Sequence, residues 1–521
     1  MSLNTEPSQP EEREANDLPP KSYADAAEPD GHTNGTDNDH RQQEPQEQPQ
    51  EQQKPQKPHP AQLEIHLPDP GKSYADAAVQ PNGASTPGEY VGAGLDTSPK
   101  TPTRGHRRVK SKSSPKRSPE KDNENHVVYE KVSDVDGKKH LTSVKPDDEF
   151  EKNLRLDKDE KPKEEDHKEL TTGRQAGAGW EHSRIRWAPL NVPLQRRLQT
   201  ASVLLHTLSI VGMLSIYFFL CSIPFLWPIL FPYTIYVLFS NAGHSGTLVH
   251  RWEALRRMPL WSLYASYFPA RLHRTQELPP TRKYLFGYHP HGIISHGAFA
   301  AFATEALGFA QLFPGITNTL LTLDSNFRIP LYRDYALRLG LGSVSRESCE
   351  NLLSKGGPNG EGMGRAITIV IGGARESLDA APGSMRLVLA RRKGFIKLAI
   401  RTGADLVPVL CFGENELYDQ VQPQQHPRIH RAQLLVKKLM GFTVPLFHAR
   451  GVFNYDVGMM PYRRPLNVVV GRPVMVVRQD KPEQKYVDEV HATYVRELQR
   501  IWDDWKDTFA KDREGELEIA E

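Results

Sequence analysis

The chain is 521 residues long, with 42 prolines, 66 basic and 64 acidic residues and a formal net charge of +2. So near a balance is not that of a polyanion-binding protein, and no nucleic-acid partner is expected. The mean hydropathy of -0.58 reads as soluble, but it averages two unlike parts. Three scattered cysteines, Cys221, Cys349 and Cys411, are too few for a disulfide framework or a zinc cluster and fit a reducing compartment. Met1 to Lys21 is polar, so no signal peptide is expected.

Residues 1–120 hold 18 of the 42 prolines, and residues 1–179 hold five of the 44 aromatics. Such a stretch cannot bury enough apolar surface to offset chain entropy. A disordered, Pro/Gln- and charge-rich regulatory tail is therefore predicted over 1–184. Inside it Lys21-Ser-Tyr-Ala-Asp-Ala-Ala27 recurs as Lys72-Ser-Tyr-Ala-Asp-Ala-Ala78. The repeat is either a linear motif for a tail-docking partner used twice or a local duplication. Residues 104–117 carry seven basic residues and no acid, with Ser98, Thr101, Ser114 and Ser118 each before a proline. This run reads as a solvated basic stretch or as an anionic-lipid contact released by phosphorylation. Gly71-Lys72-Ser73 lacks the preceding glycine of a phosphate loop.

Between Arg197 and Arg251 there is no Asp, Glu, Lys or Arg, a run of 53 residues over 198–250. Val203–Ile223 is long and apolar enough for one membrane span. Pro224, Pro228 and Pro232 then break the pattern, and a proline every fourth residue argues against a regular helix. Basic residues flank both ends, which places both on the cytosolic side. A membrane-embedded hairpin is expected, with a shallow wedge or a buried core hairpin as the competing readings.

Over 251–510 the pattern is α/β. Strands are expected at Lys283–Gly287, Ala366–Ile371 and Leu406–Phe412, and a helix over Gly394–Arg401 closed by Gly403. A strand hairpin is expected from Leu466–Val470 and Pro473–Val477 around Gly471-Arg472. Val487, Val490, Tyr494, Leu498, Ile501 and Trp505 keep the spacing of a C-terminal amphipathic helix. Residues 511–521 read as an acidic C-terminal tail.

The chemistry concentrates in Tyr288-His289-Pro290-His291-Gly292. Histidines in a turn after a strand suit general-base work, because imidazole titrates near neutral pH. A metal site of His289, His291 and His296 is the rival, but no carboxylate or cysteine lies at ligand spacing, so no metal is expected. Gly243-His244-Ser245-Gly246-Thr247 approaches a nucleophile elbow but ends in threonine. Gly360-Glu-Gly362-Met-Gly364 puts Arg365 in the third-glycine slot of a dinucleotide loop.

Several ordered motifs make the chain resemble the type-2 diacylglycerol acyltransferases, the group that includes monoacylglycerol and wax-ester acyltransferases; the long tail is similar to that of fungal members. They are Tyr267-Phe268-Pro269, His289-Pro290-His291-Gly292, Asn326-Phe327-Arg328 through Arg333-Asp334-Tyr335, and Gly372-Gly373-Ala374-Arg375-Glu376. Further on come Arg392-Lys393-Gly394-Phe395 through Pro408 to Phe412-Gly413-Glu414-Asn415, then Leu446–Gly451 and Gly471–Val474.

The resemblance implies transfer of a fatty acyl group from acyl-CoA, as co-substrate, to the free hydroxyl of diacylglycerol. A thioester is already activated, so a base and oxyanion donors suffice and no cofactor is expected. His291 is expected to be the base, with His289 in support and Glu376 orienting or charge-stabilising the imidazolium. Gly292, Arg328, Arg333, Gly372, Gly373, Arg392, Lys393 and Arg401 are expected at the substrate or CoA. Tyr267, Phe268, Pro269, Pro290, Pro408, Gly413 and Glu414 are expected to shape the motifs. The His-x-x-x-x-Asp dyad of wider glycerolipid acyltransferases is absent, so a glycerolipid-acyltransferase-like fold is an analogy. The implied places are the endoplasmic reticulum membrane and the lipid-droplet surface. A monoacylglycerol or long-chain-alcohol acceptor, a non-catalytic membrane scaffold and a homo-oligomer stay open.

Overall fold

A computed structural model describes residues 128–146, 149–154, 185, 187–188, 192–421, 426–440 and 445–520, with the side chains of 149, 374 and 437–440 left out. The tail repeat and the basic run at 104–117 lie outside the described residues.

The architecture is mixed α/β around one nine-stranded sheet. Its strands are β1 (Tyr129–Ser133), β2 (His140–Val144), β3 (Arg271–Arg274), β4 (Tyr284–His289), β5 (Thr317–Thr322), β6 (Gly342–Ser343), β7 (Arg365–Val370), β9 (Asp405–Phe412) and β12 (Asn467–Val470). The spatial order is β1-β2-β3-β12-β9-β4-β7-β5-β6. From β9 to β6 every pairing is parallel, while β12 joins β9 antiparallel. Strands in the parallel part are buried on both faces, which is why β4 and β9 read as continuous apolar runs. Pro408 sits in β9 opposite Gly287, and its carbonyl accepts the Gly471 N–H at 2.9 Å. A proline in a central strand is unusual, because it withdraws a donor from the sheet.

The predicted strands at 366–371 and 406–412 and the predicted helix closed by Gly403 are all present. Gly403 holds a φ of 67°, the left-handed conformation that suits glycine at a helix end. The C-terminal helix runs from Gln484 to Phe509 and packs Val487, Val490, Tyr494, Leu498, Ile501, Trp502 and Trp505 into the core beside the sheet.

Four expectations are corrected. First, the tail does not run unbroken to 184. β1 and β2 form a hairpin that extends the sheet by pairing with β3, and Leu141 is fully buried. A short helix, α1 (Glu149–Leu154), follows. The buried Glu151 carboxylate accepts from Gln195 and Gln199 at the start of the next long helix. These segments carry little apolar periodicity, and β2 finds its second partner in β3, more than a hundred residues away.

Second, Val203–Ile223 is not one helix. α2 (Leu194–Thr207) and α3 (Ser209–Cys221) meet at a bend of 68°. α2 belongs to the domain: Gln195, Gln199, Ser202 and Val203 are buried, and Arg463 bonds Gln199 and Thr200. Only α3 and α4 (Trp227–Phe239) are apolar all round. They fold back on each other, with the Tyr217 hydroxyl 2.5 Å from Thr234 Oγ1. No single helix among the described residues is long and apolar enough to cross a membrane, though the bent α2–α3 pair passes on length and composition. The prolines also behave differently from the expectation. Pro224 starts a 3-10 turn, Pro228 lies in the first turn of α4 where its missing donor costs nothing, and Pro232 is tolerated inside the helix.

Third, Leu466–Val470 and Pro473–Val477 do not form a hairpin. β12 is taken up by β3 and β9, and Val474 makes only an isolated bridge to Leu406. Fourth, the acidic C-terminal tail contains β13 (Leu517–Ala520), which pairs in parallel with β8 (Met385–Val388).

Candidate active site

Three adjacent parallel strands, β9, β4 and β7, end together. Each delivers a motif at its C-terminal end: Gly413-Glu414 after β9, His289-Pro290-His291-Gly292 after β4, and Gly372-Gly373 leading to Glu376 after β7. Ligands of parallel α/β sheets bind at this end, so the topology gathers motifs that are far apart in sequence.

His291 leaves β4 through a cis His289–Pro290 peptide, and Gly292 turns with a φ of 58°. A Cβ at Gly292 would stand 2.6 Å from Glu414 Cγ, so only glycine fits. The His291 ring is part-buried, and its Nδ1 lies 3.0 Å from the Gly292 carbonyl oxygen. A carbonyl only accepts, so Nδ1 carries the proton and Nε2 keeps its lone pair. Nε2 has no hydrogen-bond partner among the described residues. Burial lowers the ring's pKa, and Arg392 lowers it further. His291 is thus a neutral imidazole at pH 7 with an accepting nitrogen turned away from its own support.

His289 is different. It is fully buried, and its Nε2 lies 3.0 Å from the Tyr494 hydroxyl, which donates to the Gly287 carbonyl at 3.1 Å. Tyr494 has one proton, so His289 Nε2–H is the donor to it. Burial, with Arg392, pushes the His289 pKa down to about 3. The expected supporting role fits this geometry: His289 anchors the strand end to the C-terminal helix.

Glu376 sits in α7 (Gly373–Asp379; α5 is Pro259–Tyr267 and α6 Tyr332–Arg338). It does not touch the His291 ring, which corrects the expectation that it orients the imidazolium. Its Oε1 accepts the backbone N–H of His291 at 2.6 Å and its Oε2 that of Val388 at 2.8 Å. Glu414 is its counterpart on the other side of the turn. It accepts the His296 N–H at 2.7 Å, the Gly297 N–H at 2.9 Å and the Tyr288 hydroxyl at 2.9 Å. Burial raises both carboxyls to about 7. Two carboxyls therefore clamp the turn that carries His291 through its backbone.

The cationic residues divide. Arg392 is 5 % exposed and close enough to lower the pKa of His289, His291 and Glu376 together. Lys393 pairs with Asp488 at 2.7 Å at the start of α8 (Gly394–Thr402), and Arg401 faces Glu350 in its last turn. Arg333 is wholly buried, donating to Ser240 at 2.6 Å with its guanidinium 4.5 Å from the Tyr236 ring centre. A bulky phosphate ligand has no access there, so of its expected places, at the substrate or at CoA, the second is corrected. Arg328 is exposed and spans Asp324 and the Leu238 carbonyl. Both arginines engage α4 or its end rather than the turn at His291. Gly372 caps α7 and Gly373 opens it with a φ of 57°.

Around the site, Tyr267 donates to the Pro461 carbonyl, Phe268 packs on the His296 ring, and Pro269 is exposed. His296 is held between the hydroxyls of Tyr264 at 2.6 Å and Tyr418 at 2.7 Å. The rings of His289, His291 and His296 thus turn to three different sets of partners, and no group of three potential ligands among the described residues could hold a metal ion. Ser245 bonds Ala242 and Thr247, so the elbow-like motif has no histidine on its hydroxyl.

Sequence reasoning placed Tyr494 on the core stripe and overlooked its hydroxyl. A tyrosine among aliphatic residues in a buried stripe needs a hydrogen-bond partner, and that was the available signal.

A family model described as diacylglycerol acyltransferase matches residues 218–520. The chain is 51% identical over 340 residues to diacylglycerol O-acyltransferase 2A of Umbelopsis ramanniana, covering 64% of this chain and 94% of that protein. It is 44% identical over 324 residues to diacylglycerol O-acyltransferase 1 of Schizosaccharomyces pombe, covering 62% and 92%. It is also 42% identical over 328 residues to 2-acylglycerol O-acyltransferase 1 of Bos taurus, covering 62% and 96%. No solved structure matches the chain.

Proposed function

The chain belongs to the diacylglycerol acyltransferase family, and from that premise we propose that it transfers a fatty acyl group from acyl-CoA to the free hydroxyl of diacylglycerol, making triacylglycerol. The observation that carries the chemistry is the unpartnered Nε2 of a neutral His291 at the strand ends. Nε2 takes the proton of the acceptor hydroxyl as its oxygen attacks the thioester carbonyl. The new C–O bond forms, the C–S bond breaks, and the thiolate of CoA leaves and takes the proton back from the imidazolium. Arg392 is a buried cation close enough to lower the pKa of His291, which supports a role in balancing negative charge that develops there. The thioester's own activation supports a reaction with acyl-CoA as co-substrate and no further cofactor. The gathering of motifs at strand ends supports a glycerolipid-acyltransferase-like arrangement.

Diacylglycerol resides in a bilayer, and α3 and α4 supply the matching surface. Phe218, Phe219, Phe225, Ile229, Phe231 and Phe239 are each at least 62 % exposed. Apolar exposure on that scale marks a membrane contact. The reading is a hairpin embedded in the endoplasmic reticulum membrane or a droplet monolayer, with both flanks cytosolic.

The similarity to a 2-acylglycerol acyltransferase keeps monoacylglycerol as a second acceptor. The test is an in vitro assay of labelled acyl-CoA with diacylglycerol, monoacylglycerol and long-chain alcohol offered separately. Triacylglycerol as the main product is expected. Product with monoacylglycerol or alcohol alone would reassign the acceptor, and no ester in any arm would favour a non-catalytic scaffold.

A further inference from the structure

Directly after Tyr418, whose hydroxyl holds His296, the chain makes a detour. β10 (Asp419–Gln420) and β11 (Phe447–His448) pair antiparallel, and the Val421 N–H bonds the Leu446 carbonyl at 3.0 Å. Out of this root rises an excursion carrying α9 (Pro427–Met440). Neither core cluster includes a residue of α9. None of its described side chains is buried, and Leu435 is 57 % exposed. A 14-residue helix without a seat on the core is marginal in water by itself.

The sequence says what chemistry would cover it. Residues 421–455 contain no Asp or Glu and five Lys or Arg: Arg428, Arg431, Lys437, Lys438 and Arg450. Ile429, Ala432, Val436 and Leu439 recur at helical spacing in the sequence, and on the described part of the helix Ile429, Ala432, Arg428 and Arg431 are exposed together. Arg428 and Arg431 have no ion pair among the described residues. Nearby, Phe453 is 75 % and Trp187 70 % exposed, and the Ala188 N–H bonds the Phe453 carbonyl. Trp187 also precedes α2, which leads into the apolar α3–α4 pair.

We propose that α9 is an in-plane membrane-surface helix, its apolar stripe among acyl chains and its basic residues on anionic phospholipid headgroups, with Trp187 and Phe453 as neighbouring anchors. The acid-free basic run is what selects a lipid surface over a protein groove. Seating this excursion fixes the angle at which the adjacent catalytic turn faces the surface. None of the α9 residues is among those assigned to acyl transfer.

The test uses the full chain with Cys221→Ser and Leu435→Cys, the latter carrying an environment-sensitive fluorophore; Cys349 and Cys411 are buried. The protein is reconstituted in phosphatidylcholine vesicles with and without phosphatidylserine. A probe at Asp136→Cys, on the exposed turn between β1 and β2, is the control. A blue shift is expected at position 435 with phosphatidylserine, absent at position 136 and reversed at high salt. Each basic residue near an anionic surface strengthens seating roughly fivefold. The combined Arg428→Glu, Arg431→Glu, Lys437→Glu and Lys438→Glu variant should therefore lose the shift, while acyl transfer in detergent persists. No shift in either vesicle overturns the proposal, as does an equal shift in both vesicles that survives charge reversal. A shift produced by acyl-CoA without vesicles would make the helix a thioester-phosphate site and overturn it too.

Discussion

Glu376 and His291 meet through a backbone N–H: the carboxylate oxygen lies 2.6 Å from the amide nitrogen, and the imidazole is elsewhere engaged. The carboxylate therefore sets where His291 stands and makes no hydrogen bond to its ring.

His291→Ala removes the part-buried ring whose Nε2 has no hydrogen-bond partner among the described residues. The expected loss in kcat is roughly 100-fold or more, with little change in melting temperature. Single-turnover kinetics alongside thermal melts check both. Wild-type turnover would remove the mechanism.

The base must be unprotonated to act, so kcat/KM rises with pH through the His291 pKa. Burial places that pKa below the ordinary 6.5. The acid limb of the pH–rate profile is expected to have its midpoint below 6.5. A midpoint above 6.5 would indicate an imidazolium stabilised by a carboxylate.

Glu376→Gln leaves one of two buried amides without an acceptor, and kcat falls. The acid limb stays in place, because the carboxylate does not act on the ring. Stability gives an independent reading. The folded carboxyl titrates at about 7 against 4.5 for the free group, so the folded state holds the extra proton between those values. The contribution of Glu376 to stability is full below pH 4.5 and falls as pH rises through 7. Glutamine does not titrate. From pH 5 to pH 8 the variant should gain roughly 2–3 kcal/mol relative to the parent, read from denaturant melts at each pH.

Tyr494→Phe strips the acceptor from the buried His289 Nε2–H. An unsatisfied buried donor costs about 1–3 kcal/mol. The expected result is a lower melting temperature and a lower kcat, with KM little changed. An unaltered melt would mean that His289 finds another partner.

Glu151→Ala removes the acceptor shared by Gln195 and Gln199 and loosens the link between the N-terminal segment and α2. A loss of roughly 1–3 kcal/mol is expected in equilibrium unfolding. The same substitution would be silent if residues 149–154 belonged to an unstructured tail.

Much of the domain was legible because its signals are local. The β-branched run before Gly372 is β7, the apolar run ending at Phe412 is β9, and the stripe from Val487 to Trp505 is a helix. The misread segments have non-local causes. β1 and β2 are strands because β3 offers an open edge, and β13 is one because β8 does. The start of α2 packs on the domain because Glu151 and Arg463 hold its glutamines.

By itself the sequence determined the chemistry on offer: two histidines in a stiff turn, a glutamate in each neighbouring motif, and an uncharged apolar segment ahead of them. Tertiary structure decided which histidine keeps an unpartnered ring nitrogen beside the strand ends and which is tied to the C-terminal helix. His289 and Tyr494 are 205 residues apart, His291 and Glu376 are 85 apart, and His296 and Glu414 are 118 apart. Each pairing exists because β9, β4 and β7 end side by side under the C-terminal helix. A ring's proton sits where its hydrogen-bond partner puts it, and those partners are chosen by packing rather than by position along the chain.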